Sequence, residues 1–150
     1  MDHVAILRKA NISKGDNLLR DILDGKKTIE SRWYVNKISP WDKIKKDDTV
    51  YFKESGSPVT AKAKVKKVLQ FDKLDTNLIK EIIEDYGHEI SPSTTKEQWL
   101  SWAKEQTKKK YCILVFLSNV EKIEPFNIDK TGFGISSAWL TVENINKLRV

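Results

Sequence analysis

Gly25-Lys26-Lys27-Thr28-Ile29-Glu30-Ser31-Arg32-Trp33-Tyr34 is the stretch on which the reading of this chain turns. Just before it, Leu18, Leu19, Ile22 and Leu23 recur with helical spacing on one face, and Ser13 is placed to cap the start of that helix. Gly25 then stands where a helix end favours a left-handed residue, a conformation glycine adopts without a Cβ clash. From Thr28 the composition becomes β-branched and aromatic, so a strand follows the helix at once. Along a regular strand Thr28, Glu30 and Arg32 share one face, and Ile29, Ser31 and Trp33 share the other. Glu30 and Arg32 can therefore line a cleft together. Lys27 lies in the turn, where it can reach either side.

Outward from this stretch the pattern is mostly β. Residues 4–7 form a short apolar run, read as a first strand. Residues 36–48 are looser, with Pro40, Trp41 and many lysines. Residues 49–53 form another strand, and 54–58 a turn. Residues 59–68 alternate, with Val59, Ala61, Ala63 and Val65 facing inward and Thr60, Lys62, Lys64 and Lys66 outward. Asp75 caps a helix whose apolar face is Leu78, Ile79, Ile82 and Ile83, ending near Gly87. Thr94 with Glu97 gives a capping-box pattern for a further helix that brings Trp99, Leu100 and Ala103 together. Residues 111–117 read as a central strand, which Val120 and Ile123 extend. Gly132-Phe133-Gly134 is a flexible link, and Thr141 is placed to cap a short C-terminal helix. The expected order is β, α, several β, two α, β and a short tail. That is an α+β chain of one domain spanning 1–150, with a helical insertion at about 75–107.

The bulk numbers limit the partners. The 150 residues suffice for one compact core. With 39% hydrophobic and 32% charged residues the composition is that of a folded domain. The formal charge of +6 favours polyanionic partners without requiring one. A single cysteine, Cys112, excludes an intrachain disulfide and reads as a buried inert thiol. Cys112, His3 and His88 are too few for the usual four-ligand zinc site, so no metal and no cofactor are expected. No apolar run approaches the roughly 20 residues that span a bilayer. No signal-peptide pattern opens the chain. The expectation is a cytoplasmic protein with no membrane association.

Gly25, Lys27, Glu30 and Arg32 match the G-x-K-x-x-E-x-R signature of the ASCH superfamily at all four positions. The context resembles that family too: a helix precedes the motif, and the charged turn and apolar strand Lys45-Lys46-Asp47-Asp48-Thr49-Val50-Tyr51-Phe52 follows it. The likeness covers most of residues 4–71 and the strand at 111–117. It implies a small PUA-like β-barrel with flanking helices, and a cleft near the helix-to-strand turn suited to RNA or a nucleotide. In that cleft Arg32 offers a rigid fork of donors for phosphate or a base edge. Lys27 supplies a point charge, and Glu30 accepts from an exocyclic amine or holds Arg32. Tyr34 and Trp41 are the expected stacking residues. Gly25, Lys27, Glu30, Arg32, Tyr34 and Trp41 thus make up the expected ligand-binding set.

Some bacterial ASCH proteins deacetylate an acetylated cytidine with a Lys, a Thr nucleophile and a Glu, and ribonuclease activity is ascribed to others. Lys27 matches the Lys, but Glu30 stands at the Thr position, and a carboxylate cannot replace a hydroxyl nucleophile without changing the mechanism. The further acid would come from Glu81, Glu84 or Asp85. A binding module for RNA or a nucleotide is therefore the first reading. The alternative is a hydrolase acting on modified nucleosides or RNA, with Lys27 and Glu30 as the catalytic pair. A protein-interaction module, as in coactivator complexes that carry this domain, is the third, and an exposed apolar patch around Trp99 and Trp102 would mark it.

Plainer readings stand beside these. Glu30 and Arg32 can form a mere surface ion pair. Lys62, Lys64 and Lys66 read most simply as a solvated face, with a phosphate-tracking stripe as the functional alternative. Lys108-Lys109-Lys110 reads as a solvated turn and His88 as a surface loop residue. Trp99 and Trp102 read as packing, Trp33 stands between core packing, by its parity with Ile29, and stacking on a base, and Trp139 could line the cleft from its far side.

Overall fold

The computed structural model describes residues 1–9, 17–134 and 136–150. Among these residues six strands and three α-helices follow one another as β1 (Asp2–Leu7), α1 (Leu18–Leu23), β2 (Ile29–Tyr34), β3 (Thr49–Glu54), β4 (Val59–Phe71), α2 (Thr76–Ile90), α3 (Lys96–Glu105), β5 (Tyr111–Phe126) and β6 (Trp139–Val142). The strands form one sheet in the order β2-β5-β4-β3-β1-β6. Only β1 and β3 run parallel; the other pairs are antiparallel.

The long β4–β5 ribbon shapes the sheet. One end, Lys67–Phe71 against Cys112–Phe116, continues into β2. The other end, Val59–Lys64, continues into β3 and β1. Register shifts between Lys62 and Lys64 and between Val65 and Lys67 lie at the junction. Such bulges bend a strand and increase its twist, so the sheet curls into a half-barrel. Ala61, Ala63 and Val65 are buried on its inner face with Ala5, Leu7, Val50, Phe52, Ile113, Val115 and Trp139, as the alternation predicts, and Val59 is buried at the start of β4. The opposite face of β2 and β5 packs Ile29, Cys112 and Leu114 against Leu74, Ile79, Ile82 and Ala103 of the helical segment. This is the α+β, PUA-like architecture expected from the motif. Cys112 is fully buried and its thiol pKa is pushed up by desolvation.

Four local expectations change. The N-cap of α1 among the described residues is Asn17, whose side chain accepts from the Arg20 N–H; Ser13 lies outside the described residues. α2 continues through Gly87 to Ile90, and His88 is an exposed helical residue. The capping box of α3 is Thr95 with Gln98, one residue later than read. Thr141 belongs to β6, and Asn144 caps the following 3-10 turn, Ile145–Lys147. No helix among the described residues is long and apolar enough to cross a membrane.

Candidate functional site

The turn between α1 and β2 is held from three directions. Gly25 takes φ +75° and places the Lys26 and Lys27 amides on the Asp21 carbonyl, each at 2.9 Å. The Thr28 amide donates to the Glu89 carbonyl at 3.0 Å. The Lys27 ammonium donates to the carbonyls of Ile29 and Ile90, both at 2.6 Å. A cation on the last carbonyl of α2 complements the negative end of its dipole. The motif lysine is thus 2% exposed and ties the helical segment to β2. Desolvation lowers its pKa, opposed by the nearby Glu30 carboxylate.

Glu30 comes next. One of its oxygens, Oε2, stands 3.8 Å from Lys27 Nζ, and the other, Oε1, 3.7 Å from Arg32 Nε. These are ion-pair separations, too long for hydrogen bonds. Glu30 Oε2 and Arg32 Nε are both buried without a hydrogen-bond partner. Buried polar atoms are normally satisfied, and an unsatisfied one costs about 1–3 kcal/mol.

The remaining guanidinium nitrogens of Arg32 cross the open seam of the half-barrel. Nη1 donates to the Ala138 carbonyl at 3.2 Å, ahead of β6, and Nη2 to the Ile6 carbonyl of β1 at 3.3 Å. Its Cζ also lies 5.1 Å from the Trp139 ring centroid. Arg32 therefore links the two edge regions of the sheet while presenting Nε beside Glu30.

β2 is an edge strand, so side chains from both of its faces reach the space beside it. Two adjoining cavities of about 390 and 480 Å³ share Arg8, Leu18, Glu30, Ser31, Trp33 and Trp102 in their walls. The first extends to Arg32, Tyr34, Gln106 and Lys109, and the second to Lys27, Ser91, Ser93, Thr94, Gln98 and Trp99. Trp102 packs edge to face on Trp33 at 4.9 Å and on Trp99 at 5.4 Å. The cleft therefore has a charged floor of Lys27, Glu30 and Arg32, an indole wall and a hydroxyl-bearing rim.

Of the expected residues, Lys27, Glu30, Arg32 and Tyr34 line this cleft, and Gly25 shapes its turn. Burial raises the Tyr34 pKa, so its phenol stays neutral. Trp41 stacks edge to face on Tyr111 at 5.0 Å and is absent from both cavity walls. Trp139 is buried behind Arg32 and lies outside both walls as well. The exposed Glu81, Glu84 and Asp85 of α2 are likewise absent from the cleft. Sequence reasoning left Trp33 open and read Trp99 and Trp102 as packing residues. It missed Arg8 and the 91–94 hydroxyls altogether. The excess of tryptophan in the inserted helix was the signal available. No group of His, Cys, Asp and Glu among the described residues could hold a metal ion.

This curled six-stranded sheet with its flanking helices is the ASCH fold. The ASCH protein of Zymomonas mobilis superposes with a TM-score of 0.64 over 99% of this chain and 96% of its own, at 17% identity. A point mutant of that ASCH protein gives 0.65 over 97% and 91%, at 18% identity. No family model and no curated protein sequence matches the chain.

Proposed function

We propose that the chain is an ASCH-family protein that binds RNA or a nucleotide in the cleft beside β2. The observation that supports this reading is the convergence of Lys27, Glu30 and Arg32 on two adjoining cavities walled by Trp33, Trp99 and Trp102. A base edge carries donors and acceptors side by side and suits a cavity wall that holds both a carboxylate and a guanidinium. The indoles of Trp33, Trp99 and Trp102 offer faces and edges for an unstacked base. The +6 charge favours the attached phosphates.

Calorimetric titration with nucleoside monophosphates and with short single-stranded RNA tests this reading. Glu30→Gln keeps the shape and removes the charge. A charge-assisted hydrogen bond is worth about 1.5–3 kcal/mol, so affinity should fall at least about tenfold. Absence of binding at low salt, or unchanged affinity in Glu30→Gln, would sink the proposal. Arg32→Ala is a poorer probe because it also opens the seam.

A hydrolase acting on modified nucleosides or RNA is the second reading. It draws on the depressed Lys27 pKa, which moves the amine toward service as a base. Against it, Lys27 Nζ is engaged by two carbonyls, and no described hydroxyl hydrogen-bonds to it. Product analysis after incubation with acetylated cytidine and with RNA decides between turnover and binding alone.

A further inference from the structure

The four lysines Lys46, Lys64, Lys66 and Lys67 gather around a hollow of about 660 Å³, whose wall also includes Asp47, Val65, Ser118 and Asn119. The gathering follows from the fold. Strand alternation turns Lys64 and Lys66 outward. The register shift between Val65 and Lys67 breaks the alternation, so Lys66 and Lys67 are both exposed. The loop before β3 brings Lys46 to the same place.

The lysines are not equivalent. Lys64 donates to Thr49 Oγ1 at 3.0 Å, and Lys67 lies 5.2 Å from the Phe116 ring centroid. Among the described residues the side chains of Lys46 and Lys66 have no hydrogen bond, ion pair or ring contact. Lys62, the nearest member of the same stripe, is spent on Glu121 at 3.3 Å and lies outside the hollow. Asp47 is the carboxylate in the wall, so the hollow keeps an excess of positive charge.

Its position relates it to the cleft. Leu117, which precedes Ser118 of the hollow, donates its amide to the Thr28 carbonyl at 2.9 Å, directly after Lys27. Ile29, Phe116 and Lys67 occupy one row across β2, β5 and β4. Two strand spacings separate the ends of that row, about 10 Å.

We infer that this hollow is a second contact site, holding phosphates of a single-stranded RNA whose base occupies the β2 cleft. The inference rests on the proposed cleft reading and extends it to a ligand longer than one nucleotide. Lys46 and Lys66 supply the mobile point charges, and Ser118 and Asn119 supply neutral hydrogen-bonding groups. Contacts of this kind track the backbone and do not read sequence.

The test compares wild type with Lys46→Gln/Lys66→Gln, using a 5′-labelled RNA of about 12 nucleotides and a nucleoside monophosphate, over a salt series. Both substitutions lie on exposed side chains, and an unchanged melting temperature confirms the fold. Each lost phosphate contact should reduce the log–log salt slope by about 0.7, so the variant should lose about 1.4 in slope and about tenfold in RNA affinity at 50 mM salt. Its monophosphate affinity should match wild type. RNA affinity and slope equal to wild type would overturn the second site. So would a wild-type protein that binds the monophosphate and gains nothing from a longer RNA, an outcome that leaves the cleft reading intact. Lysine-dependent RNA binding that Glu30→Gln leaves undiminished would overturn the link between the hollow and the cleft. Binding of neither ligand overturns both.

Discussion

Lys27 Nζ sits 2.6 Å from the carbonyl oxygen of Ile90, the last residue of α2. The motif lysine therefore holds the inserted helices in place as well as lining the cleft. Replacing it with methionine keeps much of the volume and removes the donor from two buried carbonyls. Each orphaned acceptor costs about 1–3 kcal/mol, and relief of the buried ammonium offsets part of that. Lys27→Met should lose about 2 kcal/mol in urea unfolding. Its amide exchange should quicken in the last turn of α2. An unchanged midpoint together with unchanged exchange would show that the two hydrogen bonds carry no net stability.

Arg32 makes a different prediction, because it spans the seam between the sheet edges. Arg32→Lys retains the charge but cannot reach the Ile6 and Ala138 carbonyls with a fork. Arg32→Ala removes both donors and the guanidinium packed on Trp139. Losses of about 1 and 3 kcal/mol respectively are expected. Hydrogen exchange should rise first in β6, whose sheet partner is β1 alone. Faster exchange spread evenly over all six strands would contradict the seam role.

Much of this architecture is legible in the sequence, for definite reasons. The alternation in β4 and the helical periodicity of α2 are long enough to decide themselves, and Gly25 marks a turn that requires positive φ. The rest depends on partners that no local window contains. β6 is a strand because Trp139–Val142 pairs with Asp2–Ala5, a contact across almost the whole chain. Thr94 and Thr95 are equally good caps, and Glu97 and Gln98 equally good replies; the fold selects the second pair. The inside-outside parity of β2 assigned Trp33 to the core. On an edge strand that distinction fades, since both faces border the same cleft. Lys27 likewise looks mobile in sequence because the carbonyl of Ile90 lies 63 residues away.

Gly87 illustrates the same limit and supplies a third prediction. It reads as a helix stop, yet it is buried within α2 and admits the close approach of α3. A Cβ placed there would lie 3.0 Å from Trp99 Nε1 and 3.3 Å from Ile83 Cγ2. Alanine would gain about 1 kcal/mol of helix propensity, which the crowding offsets. Valine brings two further methyl groups and has no such compensation. Overpacking costs about 1–3 kcal/mol, so Gly87→Val should lose about 2 kcal/mol and shift the tryptophan emission as Trp99 moves into the cleft. Wild-type stability and emission in the variant would show that α3 is free to yield.

The last prediction concerns acid. His3 is fully buried at the inner face of β1. Trp139 Nε1–H donates to its Nδ1 at 3.1 Å, and Asp48 Oδ2 lies 2.8 Å from its Nε2. Indole nitrogen is a donor only, so Nδ1 accepts, and the neutral ring carries its hydrogen on Nε2 toward Asp48. Burial lowers the His3 pKa below 6.5 despite the opposing pull of Asp48. A base whose pKa is lower folded than unfolded binds fewer protons when folded. Its contribution to stability is therefore complete above 6.5 and declines as pH falls from there toward the folded value. For Asp48, burial is outweighed by the His3 and Lys45 hydrogen bonds, and its lowered pKa acts only below about 3.8. The two windows are separate, so a loss of stability that begins between pH 6.5 and 5 reports His3. Protonated Nδ1 could donate to Thr141 Oγ1 at 3.1 Å but would give up the bond from the Trp139 N–H, beneath the ring on which Arg32 lies. Unfolding midpoints measured from pH 7.5 to 5 should fall in wild type and stay flatter in His3→Gln, whose amide does not titrate. A parallel decline in both proteins would place the acid sensitivity elsewhere.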